Sequence, residues 1–138
     1  VALLDGLAQY LDGLGLVDFR PDSTGGDCFI ETLPASPDEA VALTLYGGTQ
    51  PDSRLGYDMP SLQVRVRGTT DPRVSRARAE AIYAALHGLD AITLPDGTRM
   101  ISCTAQQTVT SMGQDSQQRF EHVCNYALEV RNQTGRRE

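Results

Sequence analysis

The stretch "PSLQVRVRGTTDPRVSRARAEAIYAALHGL", residues 60–89, changes its period halfway along, and that change decides the architecture. Over residues 61–68 the chain alternates: Leu62, Val64 and Val66 fall on one side, Gln63, Arg65 and Arg67 on the other. Period two with one apolar side is the mark of a strand that buries one face. From residue 72 the period becomes helical. Pro72 suits the first helical position, which makes Asp71 the N-cap. Val74, Ala77, Ala81, Ile82, Ala85 and Leu86 form the expected buried stripe. Gly88 ends the helix, Leu89 folds back on it, and His87 lies in the last turn, where partial positive charge is favoured.

Upstream, residues 2–14 read as a helix, with Leu3, Leu4, Leu7, Ala8, Leu11 and Leu14 at helical spacing. "RPDSTGGD" (20–27) is a loop by composition. A short strand over 28–33 follows, then the turn "PASPDE". A second strand over 40–46 is apolar on both faces, which places it inside a sheet. "GGTQPDSRLGYDMP" (47–60) reads as one long irregular connection, the kind that is either functional or disordered.

Downstream, residues 91–94 and 99–105 flank "PDGT", where Pro presets φ and Gly supplies a positive one, so the pair forms a hairpin. Residues 111–118 read as a loop. The last strand, 119–131, puts Phe120, His122, Cys124, Tyr126, Leu128 and Val130 on its apolar side. The element order is α-β-β-β-α-β-β-β. The expected fold class is α+β: a two-layer sandwich whose largely antiparallel mixed sheet carries two main helices on one face. Residues 1–131 make one domain and 132–138 a frayed tail.

The chain has 138 residues, of which 40% are hydrophobic and 22% charged, an ordinary globular balance. Eighteen acids against twelve bases give a net charge of −6, which argues against gripping a phosphate backbone. Every base is arginine, so each cation can pair bidentately with a carboxylate. Cys28, Cys103 and Cys124 lack CxxC spacing and read as small buried hydrophobes in a reducing compartment. No signal peptide or membrane span is legible, which points to a soluble protein made in a cytoplasm.

Chemistry-bearing motifs are missing: no Walker loop, GxSxG elbow or HExxH. His122 on the apolar side of a strand reads as a core residue. Catalytic, metal and cofactor residues are therefore all expected to be none. Arg65 and Arg67 have two readings. Cross-strand pairs with Glu121 and Glu129 would satisfy them at about 0.2–1 kcal/mol each. A protein–protein surface is the other reading, since arginine is enriched in interfaces. The outer stripe of the second helix, Arg76, Glu80, Tyr83 and His87, is equally open to both.

The run "YGG…LGYDMPSLQVRVRG", followed by "DPRVSRARAEAIYAALHGL", resembles the tail terminator proteins of long-tailed bacteriophages, often labelled minor capsid proteins. "MGQDSQQRFEHVCNYALEV" continues the likeness, with Gly113, Asp115, Arg119, Glu121, Asn125 and Tyr126 at the matching places of that family's ending. The resemblance implies an α/β sandwich that assembles as a hexameric ring, caps the tail tube, halts its growth and presents the surface that joins the head. It implies no reaction. Implied partners are further copies of the chain, the tail tube protein and a head–tail connector protein, with DNA passing through unbound and no membrane. The implied location is the tail or neck of the virion, after assembly in the host cytoplasm. Arg54, Tyr57, Asp58, Arg65, Arg67, Arg76, Tyr83, Asp115 and Arg119 are the expected interface residues. Two alternatives stand beside this reading. One is another connector component, such as a stopper or head-completion protein. The other is a small cytosolic ligand-binding domain or enzyme centred on His122 with Cys103 or Cys124.

Overall fold

The computed structural model describes residues 2–22 and 25–137. Its elements are α1 (Ala2–Gly13), β1 (Cys28–Ile30), β2 (Ala40–Gly48), β3 (Tyr57–Asp58), β4 (Pro60–Arg67), α2 (Pro72–Leu86), β5 (Ile92–Thr93), β6 (Arg99–Ala105), β7 (Thr110–Gln114) and β8 (Phe120–Arg131). The protein is α+β, with two helices and one mixed sheet of eight strands among the described residues. The sheet runs β1-β2-β4-β8-β6-β5, and β3 and β7 both pair with β8. All pairings are antiparallel except β1 with β2.

Alternation in the central strands builds the core. Val41, Val66 and His122 sit in one cross-strand row, Leu43, Val64 and Cys124 in the next, and Leu45, Leu62 and Tyr126 in a third. Leu4, Leu7 and Leu11 of α1 and Ala79, Ile82 and Leu86 of α2 share one buried cluster with these rows. α1 packs on β1 and β2, and α2 on β4, β6 and β8. The opposite side of the sheet carries Arg65, Arg67, Gln63, Glu121 and Asn125.

The order expected from sequence needs two more strands. β3 and β7 lie inside segments that read as loops, because Tyr57-Asp58 is too short to show a period and "TSMGQ" is polar with a central glycine. Backbone pairing to the long β8, rather than side-chain pattern, makes them strands. The α2 stripe is also rotated. Ser75, Ala79, Ile82 and Leu86 are buried, whereas Ala77 and Ala81 are exposed. Alanine on every side leaves the phase open to polar contacts. Ser75 goes inward because its Oγ lies 2.7 Å from Nδ1 of His122. A Cβ added at Gly68 would stand 2.9 Å from the Ser75 nitrogen, so glycine there lets helix and strand meet closely.

The helix ends match expectation. Asp71 accepts the Arg73 N–H at 3.0 Å, and Gly88 adopts φ 79° past the C-terminus. His87 stands at the C-cap, and its Nδ1 accepts the Ala105 N–H at 2.9 Å, which ties the helix end to β6.

Candidate assembly surface

Arg65 and Arg67 share a strand face but not a fate. The Arg65 Nε donates to Glu121 Oε1 at 2.7 Å, the cross-strand pair expected from sequence. Glu129 stands opposite Ser102 and takes no part. Arg67 is only 3% exposed. Its Nε donates to the Asp38 carbonyl at 2.9 Å, and its Nη2 to the carbonyls of Pro34 and Pro37 at 2.5 and 2.7 Å. Burial, then the neighbouring Arg119, pushes the Arg67 pKa down.

Arg119 completes this end of the sheet. It donates to the Ala35 carbonyl at 2.6 Å, to Asp38 Oδ1 at 3.1 Å and to Asp115 Oδ2 at 2.9 Å. Asp115 in turn accepts the N–H groups of Gln117 and Arg119, both at 2.9 Å, and closes the turn from β7 to β8. The Arg119 N–H, before other causes, holds the Asp115 carboxyl below its ordinary range. Arg67, Arg119 and Asp115 are therefore all engaged inside the chain.

The other end of β4 is built differently. Asp52 Oδ1 accepts the N–H groups of Arg54 and Leu55 at 2.7 and 2.8 Å, a tight Asx turn. The Arg131 guanidinium lies 4.7 Å from the centre of the Tyr57 ring. Asp58 binds Arg137 and accepts from Asn132 Nδ2 at 2.8 Å, and both contacts, Arg137 foremost, lower its pKa. The segment after β8, expected to fray, is thus tied back onto this rim.

Between rim and helix lies a groove of about 460 Å³ bordered by Leu3, Leu45, Pro51, Met59 and Val130. Met59 and Thr49 also border the two grooves beside it. Leu55 and Met59 stand 53% and 47% exposed, so the rim presents apolar surface to water. The Arg54 side chain points out from the same turn.

On α2, Arg76 pairs loosely with Glu80 at 3.8 Å, and the Tyr83 ring stacks on His87 with centroids 5.0 Å apart. His122 is buried against Ser75, and burial lowers its pKa. Cys103 is buried, which pushes its thiol up to about 12. His122, Cys103 and Cys124 line none of the grooves above, and no group of three or more metal-ligating side chains occurs among the described residues.

A family model described as "Bacteriophage tail terminator protein" matches residues 10–132. The chain belongs to the bacteriophage tail terminator family. That span holds every interface residue named from sequence, and both ends of the sheet described above. A search of the curated proteins finds no match. As a tail terminator the chain is a structural protein of the phage tail, working among tail and head components of the virion. Among the described residues, no helix is long and apolar enough to cross a membrane.

Sequence reasoning missed the exposure of Leu55 and Met59, the closure of the 34–38 turn over Arg67 and Arg119, and the return of Asn132 and Arg137. Asp-Ser at 52–53 and at 115–116 was a usable signal. In each, the aspartate takes an N–H two residues on and marks a tight turn rather than an open loop.

Proposed function

We propose that this tail terminator closes as a six-membered ring on the finished tail tube, stops its growth and offers the head-joining surface on its other side. The family match over residues 10–132 carries this reading. The rim around Leu55 and Met59 supports it, because a docking surface needs apolar area that leaves water on contact. The net charge of −6 fits a ring through which DNA passes without being held. Arg54 and Tyr57 on the rim, and Arg65, Arg76 and Tyr83 elsewhere, remain the side chains proposed for contacts with partners.

Arg54→Ser with Leu55→Ser tests the proposal. Both side chains point outward, so the fold should hold within about 0.5 kcal/mol. Tails built with the variant should run past their set length or stay headless in electron micrographs. Tails of normal length joined to heads would refute the role of this rim.

A further inference from the structure

Among the described residues, two stretches of sheet edge lack a strand partner, and both are free of charge. β1 ends at Ile30, and Glu31, at φ 58°, turns the chain away. β1 therefore covers only the first part of β2, Val41 to Leu43. Beyond it, the outer edge of β2 is open. The Val41 N–H donates to the Asp27 carbonyl and the Leu43 carbonyl accepts from Glu31, so odd positions of β2 face outward. Leu45 continues that parity past the end of β1, up to the bulge between Tyr46 and Gly48, with no backbone partner on that side among the described residues. On the far side of the sheet, β7 pairs with β8 on one edge and with no strand on the other among the described residues.

Monomeric sheet proteins guard such edges with charges or proline. Here residues 40–50, "AVALTLYGGTQ", and 101–114, "ISCTAQQTVTSMGQ", contain no charged residue and no proline, in a chain with 22% charged residues. Two copies of a chain at −6 carry a net repulsion, and pairing at these uncharged edges brings no carboxylates into opposition. Met112 on β7 stands 48% exposed, and the apolar groove holding Leu45 and Met59 lies beside the open part of β2.

From this we infer that the partner of the open β2 edge is β7 of a second copy, joined as an antiparallel pair that runs the sheet from subunit to subunit. The direction follows from the pairing in one chain. β2, β4, β8 and β7 are successively antiparallel, so rotation about an axis roughly parallel to the strands brings a β7 alongside β2 in the opposite sense. The contact is heterologous, as ring closure requires. The open part of β2 lies level with Tyr126, whereas β7 lies level with residues 120–123. A stagger of a few residues, at about 3.3 Å each, is therefore built in, and the strands must tilt against the ring axis to close. The inference rests on the ring reading above and specifies how its subunits touch.

Cysteine pairing tests it in assembled particles. Gly47→Cys is well tolerated by geometry, since a Cβ there meets nothing within 4 Å, and Met112→Cys replaces an exposed side chain. Within one chain β4 and β8 separate β2 from β7, so a bond between positions 47 and 112 can form only between copies. The native thiols are buried. Particles carrying both substitutions should, on mild oxidation, yield a covalent ladder of this chain, while each single variant yields monomer. Several copies per particle without a ladder would overturn the edge pairing and leave the ring standing. One copy per particle would overturn both. Covalent dimers from either single variant would show a two-fold contact and likewise overturn the inference.

Discussion

At the scale of single residues, Arg67 shows why parity is not depth. Alternation tells which side of a strand a residue faces, and Arg65 and Arg67 face the same side. What differs is the turn at 34–38, contributed by chain far away in sequence, which roofs one arginine and not the other. Arg67→Met would leave the carbonyls of Pro34, Pro37 and Asp38 without their donor, at a cost of about 1–3 kcal/mol. The denaturant midpoint should fall with an unchanged m value. Arg76→Ala, which removes an exposed pair one helical turn long, should shift the same midpoint by less than about 0.5 kcal/mol.

His122 supplies a pH dependence. Its folded pKa lies below 6.5 through burial, then through Arg76, with Glu80 opposing. The unfolded chain therefore takes up the proton more readily. The stability from the neutral ring is complete above pH 6.5 and is lost as pH falls through the folded pKa. Urea titrations should show that decline, and His122→Gln should flatten it. A further loss should follow below pH 3.8, where Asp58, held low by Arg137, becomes protonated.

At the scale of elements, legibility followed the source of stability. β4, β8 and α2 bury a periodic face, and their period was written in Leu62, Val64, Val66 and in the even positions from His122 to Val130. The hairpin at "PDGT" was legible from turn chemistry. β3 and β7 are held by backbone bonds to β8, and backbone bonding leaves no mark on side-chain pattern. The phase of α2 was hidden for another reason: a run of alanines offers several faces of nearly equal hydropathy, and a buried Ser–His contact chose among them. Of the candidate surface, Arg54 and Tyr57 entered only through the family resemblance, and the apolar rim was not legible at all, because the exposure of Leu55 and Met59 depends on what packs nearby. Asp115→Ala, which removes the acceptor closing the β7–β8 turn, should speed amide exchange through β7 and leave β4 protected.

At the scale of the whole molecule, the ion pairs tie distant segments together. Arg78 joins α2 to Asp27 at 2.7 Å and to the Leu16 carbonyl at 3.2 Å, which fixes the connection from α1 into the sheet. The C-terminal segment does the same for the rim: the Asn132 N–H donates to the Gly56 carbonyl at 2.6 Å, and Arg137 binds Asp58. Removing residues 132–138 should expose the 52–58 segment to limited proteolysis while the main melting transition stays cooperative. Equal protease resistance in the truncated chain would show that Asp52 and the β3 pairing suffice to hold the rim.

The two ends of β4 are unlike. At one, Arg67 and Arg119 lock two turns with guanidinium contacts; at the other, Leu55 and Met59 stand in water beside a groove. Subunits related by rotation alone all point the same way, so a closed circle of them would have a hard annulus and a yielding one. Such a washer cannot be fitted upside down, and a virus using it would need no separate cue to tell its neck from its shaft.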